Sequence, residues 1–193
     1  MSLRIGILGS GNVGGALGRL WTAKGHDVVF GKRGASNREA ASSSTVVVLT
    51  VPWPAAEEAI RDCGDLAGKI LVDCTNPLAP DLKGLTIGLT TSAAEQVAAW
   101  APGAKVVKAF NTIGAIDFGN ADFGGVQADG FYCGDDAAAK SVVSGLISDA
   151  GMNPVDVGPL RNARLLEPLA LLWIDLAVNQ KQGAGHAFKL LRR

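Results

Sequence analysis

A strand-like run, Arg4-Ile5-Gly6-Ile7-Leu8, passes directly into Gly9-Ser10-Gly11-Asn12-Val13-Gly14 and then into a segment whose Ala16, Leu17 and Leu20 recur at helical spacing. This order constrains the fold more than any other feature, because each glycine has its own steric task. The first permits the tight turn, the second lets a phosphate approach the backbone, and the third lets helix and strand close on each other. Free N–H groups at the helix start then face the phosphates. The turn predicts the first βαβ unit of a dinucleotide-binding fold, with Gly9, Ser10, Gly11, Asn12, Val13 and Gly14 at the pyrophosphate. A glycine turn that binds nothing is the alternative, and the strand, helix and second strand in the required order weigh against it.

The rest of the chain keeps the alternation of β-rich and helical runs that builds a parallel sheet. Strands are expected at Arg4 to Leu8, Asp27 to Gly31, Thr45 to Val51, Lys69 to Asp73, Lys105 to Phe110, Gly130 to Cys133 and Pro154 to Val157, with Leu85 to Leu89 ambiguous. Helices fit Val13 to Ala23, Pro54 to Cys63, Ser92 to Trp100, Asp136 to Asp149 and about Pro159 to Asn179. The segment from Gly31 to Thr45 holds a helix but no extra strand, so the first half of the fold is shortened and its outer strand missing. The expected class is α/β: a Rossmann-type, doubly wound, mostly parallel sheet with a small C-terminal helical extension. Residues 1–158 would form the NADP-binding domain and residues 159–193 the extension, packed on that domain or on a dimer partner. The glycine-rich stretch from Gly114 to Gly130 reads as a long surface loop, and such loops are often functional.

The second strand ends in Gly31-Lys32-Arg33, where NAD-specific proteins present a carboxylate to the ribose 2′-hydroxyl. Two cations there favour the 2′-phosphate of NADP, Arg33 as a fork and Lys32 as a point charge; a solvated basic turn is the plainer reading. The third strand closes with Thr50-Val51-Pro52 and the fourth with Asn76-Pro77 nearby, at the carboxyl edge where open α/β sheets bind ligands. Asn111 and Thr112 follow the fifth strand at the same edge and are the candidates on the acceptor side, although Asn after a strand often bonds only its own backbone. Trp53 fits either a cofactor flank or a cover over a helix start. Lys108 reads as structural or solvated. Asp135 and Asp136 read as helix capping rather than acid–base groups. His26 reads as a hydrogen-bonded packing residue, and His186 has no evident partner.

Eighteen basic and 18 acidic side chains give zero net charge, which leaves no electrostatic footprint for nucleic acid or an anionic membrane. Cys63, Cys74 and Cys133 lie in apolar contexts without metal spacing and read as reduced core thiols, so no metal site is expected. The N-terminus lacks an export pattern, and the apolar run from Leu165 to Val178 is interrupted by Glu167, Pro168 and Asp175, so a cytoplasmic, non-membrane protein is expected.

Several segments carry a resemblance beyond the glycine turn. Thr50-Val51-Pro52-Trp53, Ser92-Ala93-Ala94-Glu95, Val107-Lys108-Ala109-Phe110-Asn111-Thr112 and Cys133-Gly134-Asp135-Asp136 are similar to the NADPH-dependent reductases of the deazaflavin coenzyme F420. So is Asp156-Val157-Gly158-Pro159-Leu160 followed by Asn162-Ala163-Arg164. The Ala-Phe-Asn-Thr form also resembles the cytosolic reductase domain of six-transmembrane ferric reductases, which pass electrons through a flavin. The resemblance spans nearly the whole chain and implies a homodimer that transfers hydride between nicotinamide C4 and deazaflavin C5, the protein mainly aligning two stacked rings. Two positions depart from that family: the segment after Arg33 is shorter, and Asn111 stands where archaeal members present His. The expected function is hydride transfer between NADP(H) and coenzyme F420 or a flavin-like acceptor, with no side chain assigned acid–base work. The alternatives are reduction of a small carbonyl, imine or quinone, and a non-catalytic NADPH-binding or sensing module.

Overall fold

Every residue of the strand Val46–Leu49 is buried, Val46 and Val48 in one apolar cluster and Val47 and Leu49 in another. A strand that alternates its side chains between two faces and finds both apolar must lie between two helical layers. In the computed structural model, which describes residues 2–193, it is the third of seven strands: β1 Arg4–Leu8, β2 Asp27–Gly31, β3 Val46–Leu49, β4 Ile70–Asp73, β5 Lys105–Lys108, β6 Asp129–Gly134 and β7 Asn153–Asp156. Their order across the sheet is β2-β1-β3-β4-β5-β6-β7. All pairings are parallel except β5 with β6, where Val107 faces Gly134 and Lys108 faces Cys133.

The helices are α1 Asn12–Ala23, α2 Ala35–Ser42, α3 Ala56–Cys63, α4 Ala93–Trp100, α5 Ala137–Asp149 and α6 Ala163–Ile174. One layer brings Leu17 and Trp21 of α1 and Val143, Leu146 and Ile147 of α5 against Ile5, Ile7, Val72 and Val107. The other sets Ala59 and Ile60 of α3, Val97 of α4 and Leu166 of α6 against Leu8, Leu71 and Val106. The doubly wound sheet is thus as the alternation of the sequence predicts.

β2 is the edge strand, and α2 connects it straight to β3 without a further strand. Gly31 allows this short crossover: a Cβ there would lie 2.6 Å from Asn37 Oδ1 and 2.9 Å from its Cα. The elements otherwise differ from the sequence expectation mainly at their ends. Leu85 makes only an isolated bridge to Leu78, so Leu85 to Leu89 is no strand. The last helix begins with a short 3-10 turn, Leu160–Asn162, and after α6 widens into a π turn, Asp175–Asn179. Helix therefore accounts for the extension only through Asn179. The remaining residues run back across the domain, where Phe188 carbonyl accepts from Asp129 N–H and Leu190 N–H donates to Asp129 at 2.6 Å.

Candidate functional site

Gly9 adopts φ +102°, the left-handed region that glycine enters without strain. A Cβ on Gly14 would sit 2.1 Å from Gly9 O and 2.5 Å from Thr50 Oγ1, so only glycine lets α1 close on the turn. Gly11 differs. Nothing lies within 4 Å of where its Cβ would be, and it precedes α1 with no side chain capping the first N–H groups. The turn therefore holds uncapped donors beside open space, which is the arrangement a pyrophosphate needs. Thr50 supports the turn from below: its hydroxyl lies 2.9 Å from Leu8 O and 3.0 Å from Gly9 O and is directed at those carbonyls rather than outward.

At the outer edge Lys32 and Arg33 are exposed and form no ion pair among the described residues. Lys32 N–H donates to Ser36 Oγ at 3.3 Å, and Asp62 on α3 accepts from Gly34 N–H at 2.6 Å and from Asn37 Nδ2 at 3.2 Å. The turn that carries both cations is thereby fixed from behind, with the charges left to solvent.

From the start of α1 a cavity of about 780 Å³ opens along the carboxyl edge of the sheet. Asn12, Val13 and Ala16 form one wall, Cys74, Asn76 and Asn111 the floor, and Phe110, Phe118 and Trp173 an aromatic side. Phe110 has φ +62°, a conformation that costs a non-glycine residue roughly 1–3 kcal/mol and is typical of functional turns. Edge-on contacts with Trp21, centroids 5.6 Å apart, and Phe118, 5.9 Å apart, hold the ring there. Asn111 Nδ2 donates to Asn76 Oδ1 and to Leu166 O, both at 3.1 Å, while Asn76 Nδ2 returns a bond to Asn111 O at 3.2 Å. Asn111 Oδ1 is buried without a partner, an acceptor available to an amide N–H such as that of a nicotinamide carboxamide. Together with the open pyrophosphate turn, this makes the residues present fit a dinucleotide. Burial and the neighbouring Asp73 push the Cys74 thiol far above its ordinary pKa, which keeps it protonated and unreactive.

A buried charge cluster lies under this floor. Lys108 Nζ meets Asp73 Oδ2 at 2.9 Å, Glu167 Oε1 at 3.0 Å and the carbonyl of Thr75, with all three charged side chains 0–1% exposed. Burial alone would discharge the lysine, but the two carboxylates outweigh it and hold its pKa above the ordinary value. Glu167 also accepts from the N–H groups of Ala93 at 2.9 Å and Ala94 at 3.1 Å, and Asp73 Oδ1 accepts from Thr75 N–H and Oγ1. The cluster ties β4, β5, the start of α4 and α6 to one point beside Asn76 and Asn111.

The comparisons with known proteins agree on one lineage. The family described as NADP oxidoreductase, coenzyme F420-dependent, matches residues 33–77. The F420-dependent NADP reductase of Methanothermobacter marburgensis is 33% identical over 162 residues, covering 79% of this chain and 72% of that protein. The chain belongs to the F420-dependent NADP reductase family. It is accordingly an NADP-dependent oxidoreductase. A crystal structure from Arthrobacter sp. FB24, given there as a candidate F420-dependent NADP reductase, superposes with a TM-score of 0.91 at 29% identity, covering 99% of this chain and all of that one. Metalloreductase STEAP3 of Rattus norvegicus is 34% identical over 187 residues, or 88% of this chain, but the chain spans only 37% of that protein's length.

Against this family background, the sequence-predicted residues separate into those that face open space and those that support them. Ser10, Gly11, Asn12, Lys32, Arg33 and Pro52 are exposed, and Asn12, Val13, Asn76 and Asn111 line the cavity. Thr112 and Pro77 are buried and, like the half-buried Thr50, absent from its lining. Trp53 stacks on Trp100 with centroids 5.2 Å apart and covers the helical layer instead of the cavity. Lys108 is not solvated. His26 donates from Nε2 to Asp149 at 3.0 Å while Nδ1 accepts from Leu3 N–H, as a packing residue should. His186 does have a partner: it stacks on Trp173, centroids 4.8 Å apart, and its carbonyl accepts from Trp173 Nε1 at 2.8 Å. Phe110, Phe118, Trp173 and Arg19 are among the cavity residues that sequence reasoning missed. The long loop signalled Phe118, and the motif Ala109-Phe110-Asn111-Thr112 contained Phe110 without showing its backbone angle.

Proposed function

We propose that the protein passes hydride between NADP(H) and coenzyme F420 or a flavin-like ring seated in the cavity beside the nicotinamide edge. The observation that carries this reading is the cavity itself. It is continuous with the pyrophosphate turn at Asn12 and Val13, flanked by aromatic side chains, and lined among the described residues by no carboxylate, histidine or tyrosine. A ring that accepts hydride at one atom and a solvent proton at another needs alignment and exclusion of competing geometries. A carbonyl or imine would need a positioned proton donor, and the lining offers only the high-pKa Cys74 thiol. The proposed cofactor residues are Gly9 to Gly14 at the pyrophosphate, Lys32 and Arg33 at the 2′-phosphate, and Asn76 and Asn111 at the nicotinamide. Thr50, Val51, Pro52, Pro77 and Thr112 shape the backbone around them. Bound NADPH supplies the hydride; the chain orients both rings and holds Asn111 Oδ1 where a carboxamide fixes the exposed nicotinamide face.

The test is an anaerobic mixture of protein and NADPH with oxidised F420, FMN or FAD, followed by the acceptor's absorbance. Stoichiometric bleaching of one of these acceptors is expected. Intact spectra for all three, with turnover of an imine or carbonyl, would replace the reading by the alternative. The outer face of α6 and the turn after it expose Leu165, Leu172 and Val178 at 66%, 47% and 52%, which favours a homodimer through that face. Sedimentation of Leu165→Glu against the wild type tests this, with loss of the dimer expected and an unchanged dimer contradicting it.

A further inference from the structure

Among the described residues that line the cavity, Arg19 is the only one with a charged side chain. It stands on the exposed flank of α1 and takes part in none of the ion pairs that occupy Arg4, Arg61 and Arg164. Its position is defined by a missing side chain. A Cβ on Gly15 would lie 3.4 Å from Arg19 Nη1 and 3.4 Å from Ser10 O, so the guanidinium folds back over Gly15 toward the start of the helix. The guanidinium therefore lies beside the start of α1, and Arg19 lines the cavity, whose remaining lining is uncharged. The chain's overall charge is zero, so no general positive field draws anions here and any preference must be local.

We infer that Arg19 anchors the hydride acceptor through an anionic group, a phosphate or carboxylate on a side chain of the ring, while the ring lies against Phe110, Phe118 and Trp173. The inference rests on the acceptor reading above and narrows it to rings bearing such a group. An arginine fork matches a phosphate or carboxylate in two-point geometry, and such charge-assisted bonds are roughly twice as strong as neutral ones. The pyrophosphate of the cofactor has its own donors at the uncapped start of α1, whereas Arg19 faces the cavity beyond Gly15.

The test uses two pairs of ligands that share a ring and differ in the anion: FMN with riboflavin, and F420 with its phosphate-free deazaflavin. Affinities are read by ligand fluorescence in protein saturated with NADP⁺, at low and high salt, alongside turnover with NADPH. Within a pair, the anionic member is expected to bind about tenfold more tightly, with the difference shrinking in salt. Arg19→Ala should bring it to the level of its neutral partner and leave that partner unchanged; Arg19→Lys should retain part of the difference. Equal affinity within both pairs, no binding by either, or a preference that survives Arg19→Ala would overturn the assignment. So would a variant that loses NADP⁺ affinity without any selective loss of the anionic ligand, since the guanidinium would then serve the cofactor. Arg19-dependent binding without turnover would remove the acceptor reading and leave the anchor standing; equal turnover and affinity within the pairs would do the reverse.

Discussion

Gly11 and Gly14 share a motif but are glycines for different reasons, and substitution separates them. Gly14→Ala drives a Cβ to 2.1 Å from Gly9 O, so an overpacking cost of about 1–3 kcal/mol or more is expected in urea unfolding. Gly11→Ala meets no protein atom within 4 Å and should unfold at nearly the wild-type midpoint, yet lose NADPH affinity by tenfold or more because the methyl occupies the pyrophosphate's approach. A Gly11→Ala variant that binds NADPH normally would show that the phosphates lie elsewhere. At the other end of the nucleotide, Arg33→Ala should weaken NADP far more than NAD, since only NADP carries the 2′-phosphate. Equal losses in parallel titrations would remove Arg33 from that role. Both arguments were legible in the sequence, because a glycine turn and a cation pair declare themselves locally. Phe110 was not: nothing in the local sequence marks a positive φ at a phenylalanine, and its ring packs edge-on against Trp21 of a distant helix as well as Phe118.

The strands and helices were readable wherever burial leaves a trace, as a continuous apolar run in Val46 to Leu49 or a helical period around Leu17 and Trp21. What joins them was not, because Asp73, Lys108 and Glu167 meet from three separate elements and each alone resembles an ordinary surface charge. Lys108→Met removes the counter-charge of two fully buried carboxylates and should cost roughly 3–5 kcal/mol of unfolding free energy. Urea titration checks this, and a loss under about 1 kcal/mol would mean that the cluster's geometry carries no such coupling. The pH dependence has a definite sign. Since the folded pKa of Lys108 is raised, its contribution is complete below the ordinary lysine pKa and disappears only as pH rises through the folded value, leaving the junction intact across the neutral range.

On the scale of the whole molecule, α6 and the tail behind it complete the cavity at the carboxyl edge, with Trp173, Ile174 and Ala184 among its lining residues. The tail is clasped by Asp129, which meets Lys189 Nζ at 2.7 Å and also accepts from Asn153 Nδ2 and Leu190 N–H. Burial alone would raise the Asp129 pKa, but these donors outweigh it and hold the carboxyl below its ordinary range. The clasp therefore contributes fully above the ordinary carboxylate pKa and is lost as pH falls through the lowered folded value. Hydrogen exchange should show the amides of Phe188 to Leu190 deprotected in acid before those of β3; simultaneous loss would mean that the tail is not a separate unit. No sequence signal showed this return of the tail, because its contacts with Asp129 and Trp173 depend on where distant elements place those residues. Isotope transfer follows where the hydride goes. Protein, oxidised F420 and NADPH labelled with deuterium on either face of C4 are mixed, and the reduced deazaflavin is analysed by mass spectrometry. Retention of one deuterium on deazaflavin C5 from a single labelled face is the expected result; reduction without deuterium, or no reduction at all, would contradict direct transfer between two rings aligned in this cavity.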